Sequence, residues 1–371
     1  MQTEGIYNIA DTFIIDRRRK WIRRILIIFF IISAVLITAF SVMFQDQFKS
    51  LASIKKIDNY GMFQMTYFGD YKFDDFLKTG AKNDSEIEIF ISRKLLKGFP
   101  VRFGINGRTC TAFVTRNENG DVIYGRNFDY TYSPSLQVTT KPDNGYASVS
   151  TVNLSFVGYS LNKLPSGLNT NSVLTLAAPF IPFDGMNEKG VAISLLAVPE
   201  ASHTPDINKI TLNTTTAIRL VLDKAATVNE AVALLRQYNI YFSGGIACHY
   251  LIADSGGQSV IVEYYNGELQ TITTDESCQA ASNFIAYNGL NIGEGKDEFQ
   301  RYQTTIQTIQ NHNGILNNEQ AVSLLVRVGV INERGSDLLQ WSVIYNLSSL
   351  SGIIFANRNT GNLIHFQLEN Q

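Results

Sequence analysis

Two strand-like runs joined by Asn119-Gly120-Asp121 constrain this chain more than any other feature. The first is Thr109-Cys110-Thr111-Ala112-Phe113-Val114, and the second ends in Gly125-Arg126-Asn127-Phe128-Asp129-Tyr130. Apolar and β-branched runs on either side of an Asn-Gly pair read as an antiparallel hairpin. Such a hairpin returns Arg126 and Asp129 to the start of its first strand, beside the thiol of Cys110. A cysteine set next to fixed charges can become a nucleophile.

The chain has 371 residues, enough for one large domain or two small ones. Its 45% apolar and 17% charged content fits a globular protein rather than a disordered one. A net charge of −2, with no basic run in the main body, argues against a nucleic-acid partner. The basic residues that do cluster, Arg17-Arg18-Arg19-Lys20 and Arg23-Arg24, lead into the uncharged run from Ile25 to Phe44. Twenty such residues in a helix reach about 30 Å, the thickness of a bilayer core. The basic flank then stays in the cytoplasm as a tail, 1–24, and everything after 25–44 lies outside. A cleaved signal peptide, giving a secreted protein, is the other reading; the run exceeds a usual h-region of about 7–15 residues and no small-x-small cleavage site follows it. A retained single-pass anchor is the expectation.

Three cysteines, Cys110, Cys248 and Cys278, leave one thiol over in an exported protein. Cys248 and Cys278 either pair or are buried and inert. Neither the cysteines nor the four scattered histidines show metal-ligand spacing, and no cofactor or metal is expected.

Residues 45–109 read as a separate small region. Aromatic residues crowd Tyr60 to Phe76, and this density predicts packing against the main domain. Asp84-Ser85 cap a helix that stops at Gly98-Phe99-Pro100. From Cys110 onward, strands are expected at Thr111–Thr115, Val122–Asn127, Ser148–Asn153 and Val191–Leu196. Helices are expected at Thr214–Leu222 and Val228–Tyr238, the second opened by the Thr227-to-Glu230 capping box. Strands Tyr250–Ala253, Ser259–Tyr264 and Leu269–Thr273 follow, then helices Asp297–Gln310 and Glu319–Val328. Strands Trp341–Leu347, Gly352–Asn357 and Leu363–Leu368 close the chain. Elements that alternate in blocks point to an α+β fold with antiparallel sheets and segregated helices.

The run from Cys110 to Asp129, with its Gly-Arg-Asn-Phe-Asp ending, resembles the start of the mature chain in the cysteine N-terminal-nucleophile hydrolases of linear amides. That superfamily holds bile salt hydrolases, penicillin V acylases, acid ceramidases and N-acylethanolamine acid amidases. The resemblance is strongest over 110–130, 184–196, 248–284 and 340–347, and weak over 45–109. It implies a four-layer αββα sandwich over 110–371, preceded here by one transmembrane helix. It also implies hydrolysis of a carbon–nitrogen bond in a small N-acyl amide, a lipid among the candidates.

In that superfamily the nucleophile's own α-amine, with a pKa of about 7.7–8.0, acts as the base. Because 109 residues precede Cys110, the resemblance implies autoproteolysis at Thr109–Cys110, as in the acid-ceramidase branch. The segment 45–109 would then remain as the partner of the catalytic chain. Carried over residue by residue, Arg126 would stabilise the thiolate and Asp129 would hold the amine. Asn283, in Ala281-Ser282-Asn283-Phe284, would donate to the oxyanion. Arg301, in Glu298-Phe299-Gln300-Arg301, matches the family's later arginine. The run Asp184-Gly185-Met186-Asn187-Glu188 resembles another family turn, where Glu188, beside Asn187, would assist processing at Thr109. Ten residues after Asn187 the chain has Ala197 where bile salt hydrolases carry an asparagine, which counts against a bile-salt assignment. An acyltransferase on the same scaffold and a non-enzymatic tethered binding protein are the alternatives. Retention of Cys110, Arg126 and Asp129 together counts against the second.

Overall fold

A computed structural model describes residues 4–104, 109–289, 292–293, 296–332, 334–336 and 338–369. The chain divides into two units, 1–48 and 49–371. The first is built on one helix, Glu4–Met43, which no proline or glycine interrupts after Gly5. Within it Arg17–Met43, 27 residues with a mean hydropathy of 2.9, is long and apolar enough to cross a membrane, and a signal sequence has the same character. The basic residues expected in a tail continue the same helix.

In the second unit, two sheets account for the expected strand blocks. The larger runs in the order Lys55–Lys56, Met62–Thr66, Ser135–Thr140, Ser148–Asn153, Asp184–Asn187, Ala192–Ala197, Cys248–Ala253, Ser259–Tyr265 and Glu268–Ile272. The smaller runs Gln279–Ala281, Thr109–Arg116, Val122–Asp129, Leu339–Asn346, Ser351–Ala356 and Ile364–Gln367. Pairing is antiparallel throughout both, except that Met62–Thr66 lies parallel to Ser135–Thr140.

The sheets face each other. Tyr124 of the smaller sheet donates its hydroxyl to the Leu251 carbonyl of the larger at 2.9 Å. Helices Thr214–Lys224 and Val228–Leu235 pack on the larger sheet, and Lys296–Asn311 and Asn318–Val328 on the smaller. The result is helix, sheet, sheet, helix, in agreement with the expected layering.

The hairpin forms as its sequence predicts. Its register runs unbroken from Thr109 opposite Asp129 to Arg116 opposite Val122. Asn117 closes the turn, its Oδ1 accepting from the amides of Asn119 and Asp121 at 2.9 Å each. Gly120 takes the left-handed conformation, φ +85°, that a side chain would strain. Gly125 is needed for another reason: a Cβ there would collide with the ring of Phe113.

One expectation changes. Residues 45–109 do not form a region apart from the main domain, because Lys55–Lys56 and Met62–Thr66 extend the larger sheet. The aromatic stretch is part of the core: Tyr67, Tyr71, Phe73 and Phe76 are buried, and Tyr71 donates its hydroxyl to Asp223 at 2.7 Å. Beyond the expected elements, Thr170–Phe180 folds as a 3-10 segment. Its Pro179 lacks the N–H that a regular α-helix would use.

Candidate active site

Cys110 begins the inner strand of the smaller sheet and is fully buried. Alternation along the facing strand puts Arg126 and Asp129 on opposite faces. Only Arg126 therefore meets the thiol, whereas Asp129 lies across from Thr109 on the helix-facing side. The hairpin brings both charges to Cys110, but to its two sides rather than both to its sulfur.

On the inter-sheet side, Arg126 Nη2 lies 3.6 Å from Cys110 Sγ and donates to the Leu195 carbonyl at 3.1 Å. Its Nη1 is 3.0 Å from Asp184 Oδ2, an ion pair with both side chains fully buried. Asp184 also accepts from Trp341 Nε1 at 3.0 Å and from the Tyr345 hydroxyl at 2.7 Å. Two hydrogen bonds and the ion pair fix the Asp184 carboxylate in place, and it orients Arg126 in turn. The guanidinium is flanked by the rings of Phe128 and Trp341, at 5.3 and 5.5 Å from their centroids.

Through its backbone, Cys110 donates its amide N–H to Asn283 Oδ1 at 2.8 Å. Asn283 Nδ2 donates to the Ala197 carbonyl at 2.7 Å. Arg301 reaches in from the helix Lys296–Asn311. Its Nη1 donates to the Cys110 carbonyl at 2.7 Å and to Thr111 Oγ1 at 2.5 Å, and its Nη2 to Asn283 Oδ1 at 2.8 Å. Burial draws the Arg301 guanidinium below its ordinary pKa against the opposing pull of Asp129 and Cys110. Asp129 Oδ1 accepts from the Val330 amide at 2.8 Å, and its Oδ2 has no hydrogen-bond partner among the described residues. Burial pushes the Asp129 carboxyl up to about 6, although Arg301 and the Val330 amide favour its charged form.

Five of the residues singled out by sequence, Cys110, Arg126, Asp129, Asn283 and Arg301, thus form one cluster, with Thr109 on its edge. Asn187 and Glu188 do not join it. Asn187 is committed to structure: its Nδ2 donates to the Leu222 and Ala225 carbonyls, and its Oδ1 accepts from the Lys189 and Val191 amides. Glu188 lies in the turn after that strand, its amide bonded to the Ala147 carbonyl. The carboxylate that this run supplies to the cluster is Asp184, at the strand's other end. Trp341, in the expected strand Trp341–Leu347, also belongs to the cluster. The thiols of Cys248 and Cys278 are both buried and not joined in a disulfide. Among the described residues, no group of three or more His, Cys, Asp or Glu side chains is placed to hold a metal ion.

The fold and this cluster define a cysteine-centred site on two stacked sheets. Residues 110–308 match the linear amide C–N hydrolases, choloylglycine hydrolase family, and the chain belongs to that family. It is 32% identical over 111 residues to penicillin V acylase from Pectobacterium atrosepticum, a match covering 27% of this chain and 29% of that protein. The fold is similar to that of a mutant of conjugated bile acid hydrolase from Clostridium perfringens, with a TM-score of 0.51 and 17% identity over 70% of this chain and 93% of that one. Penicillin V acylase from Agrobacterium tumefaciens gives a TM-score of 0.49 and 19% identity over 67% of this chain and 83% of the other.

Proposed function

We propose that the protein hydrolyses linear N-acyl amides with Cys110, after scission of the Thr109–Cys110 bond gives that residue a free α-amine. The observation that carries this reading is the convergence on one residue deep in the chain. The thiol of Cys110 meets Arg126, its N–H meets Asn283, its carbonyl meets Arg301, and an unpartnered oxygen of Asp129 lies on the side of Thr109.

Scission would begin with attack of Cys110 Sγ on the Thr109 carbonyl carbon. The C–N bond breaks, the acyl group passes to sulfur, and the departing nitrogen takes up a proton. Water then hydrolyses the thioester, leaving a Thr109 carboxylate and a Cys110 that carries both thiol and α-amine. Asp129 Oδ2 is the acceptor available to that amine, and Arg126 stabilises the thiolate. The carboxylate that orients Arg126 for this step is Asp184.

In turnover, the α-amine takes the thiol proton and the thiolate attacks the acyl carbon of the amide. Asn283 Nδ2 leaves Ala197 to donate to the oxyanion, and a backbone N–H serves as the second donor. The substrate nitrogen leaves with the proton, and water releases the acid from the thioester. The helix Arg17–Met43 anchors the enzyme with its catalytic unit outside the cytoplasm, a location that favours N-acyl lipids among the family's substrates. The segment 45–109 stays bound after scission, because its strand and buried aromatics belong to the core of the second unit.

The test is a panel of N-acyl amides differing in chain length and head group, with released acid measured and the 110–371 chain weighed during turnover. A transient mass increase equal to the acyl group, absent in Cys110→Ser, supports the mechanism. Hydrolysis that survives Cys110→Ser contradicts it.

A further inference from the structure

Glu263, in the strand Ser259–Tyr265 of the larger sheet, is only 2% exposed. A carboxylate is almost never buried so completely unless it is paired. Its Oε1 accepts from the Ala286 amide and its Oε2 from the Tyr287 amide, both at 3.0 Å. His249 Nδ1 is 2.9 Å from the same Oε1, and both side chains of that pair are buried. Burial pushes the Glu263 carboxyl up, but His249 and the two amides outweigh it and hold it below the ordinary carboxylate range. The group that meets the two amides is therefore an ionised carboxylate, which accepts at both oxygens. Hydrogen bonds to a charged group are about twice as strong as neutral ones.

The loop held in this way begins at Asn283. Just before it, Ala281 pairs with Ala112 on the strand that carries Cys110. Ala286 and Tyr287 come three and four residues after it. Between these fixed points Ile285 exchanges backbone hydrogen bonds with Ile292 at 2.9 and 3.1 Å, and the Phe284 ring packs edge-on against Phe299 and Tyr302. The loop is tied to the larger sheet at both ends. At one end Asn283 Nδ2 donates to the Ala197 carbonyl, and at the other the two amides donate to Glu263. One strand supports both ties: Cys248 lies opposite Ala197, and His249 next to it pairs with Glu263.

Turnover breaks the first tie. Once Asn283 Nδ2 turns to the oxyanion, the Ala197 carbonyl no longer holds the loop, and a misplacement of about 1 Å in a reacting geometry can cost about 10²-fold. The Glu263 tie has no need to change in that step. We propose that Glu263 is a positioning residue for amide hydrolysis: its clamp on the Ala286 and Tyr287 amides fixes Asn283 against the larger sheet while the Asn283 amide serves the oxyanion. This assignment rests on the reading of Asn283 as an oxyanion donor, and Glu263 acts only through it.

The test is a cycle of Glu263→Gln, Asn283→Ala and the double variant in the cut enzyme, using the N-acyl amide that wild type turns over fastest. Rates are expressed per chain that begins at Cys110. Glutamine presents an NH₂ to one of the two loop amides, so one buried hydrogen bond is lost. With Asn283 in place, Glu263→Gln should lower kcat about tenfold and leave KM within about twofold. In the Asn283→Ala background it should change kcat by less than about twofold, because the group it positions is gone. A merely structural role would lower kcat by the same factor in both backgrounds. That equality, or a loss in Asn283→Ala with none in Glu263→Gln, overturns the assignment of Glu263 alone; an unaltered kcat in Asn283→Ala overturns the oxyanion reading with it. If Glu263→Gln does not fold, Glu263→Asp, which keeps the charge beside His249 and draws it back from the loop, takes its place with the same expected outcome. In the uncut full chain carrying Cys110→Ala, which needs no substrate, Glu263→Gln should speed hydrogen exchange over 283–287 about tenfold and leave the strand 122–129 unchanged. Unchanged exchange over 283–287 overturns the clamp.

Discussion

Replacing Asp129 by asparagine should stabilise the uncut protein at neutral pH and not at acid pH. The carboxyl titrates at about 6 in the folded chain against an ordinary value of 3.8. A folded-state pKa raised in this way means that the folded form disfavours the charge. The cost is absent below about pH 4, where both states are protonated, grows between about 4 and 6, and is complete above 6. Two units at 1.36 kcal/mol each amount to about 3 kcal/mol. Asparagine keeps the bond from the Val330 amide but brings an NH₂ to the position of Oδ2, which has no hydrogen-bond partner among the described residues. That costs about 1 kcal/mol at every pH. The quantity to read is therefore the change with pH, not the offset. Chemical denaturation of Cys110→Ala and of Cys110→Ala/Asp129→Asn, at about pH 4 and about pH 7.5, gives it directly, because every other group cancels between the two proteins. The double variant should gain about 3 kcal/mol relative to the single one across that interval. A pH-independent difference, or a gain confined to acid pH, would refute the account of Asp129.

Arg126→Leu should destabilise the fold by about 3–5 kcal/mol by stranding the buried Asp184 carboxylate, and adding Asp184→Leu should recover most of the loss; additive costs in the double-mutant cycle would contradict the pairing. Asn283→Ala in the scissile-bond-cleaved enzyme should lower kcat by about 10²–10³ and also cost about 1–3 kcal/mol of stability through the buried groups it leaves unpaired; an unaltered kcat in the folded variant would remove it from the oxyanion site. Scission should slow as pH rises through about 6, because Asp129 then loses the proton it can give to the departing nitrogen; release of the 45–109 segment on a gel, measured across pH, would show the opposite trend if the carboxyl acts as a base.

What the sequence revealed of the site was local. Cys110, Arg126 and Asp129 share one hairpin whose turn chemistry is visible in Asn119-Gly120, so their proximity needed no tertiary information. Asn283 and Arg301 were reached only through the resemblance, since nothing local ties them to Cys110. The part played by Asp184 was not legible in the sequence for a physical reason. Asp184 and Glu188 lie in one short run, and only the register of Asp184 against Ser194 and Thr151 decides which carboxylate meets Arg126. Trp341 carried no local sign of the site, because its bond to Asp184 spans 157 positions. The misreading of 45–109 has the same origin. Met62–Thr66 pairs with Ser135–Thr140 on the far side of the hairpin, and Met-Phe-Gln-Met-Thr shows no period-two pattern that would have exposed it.

The central claim is that Cys110 becomes an N-terminal nucleophile by its own action. Intact mass and N-terminal sequencing of the purified 45–371 protein, beside Cys110→Ala, test it most directly. The account predicts a wild-type chain of residues 110–371 that begins at Cys110, with 45–109 still associated, and a mutant that stays whole. A wild type that remains a single uncut chain at both acid and neutral pH would contradict it.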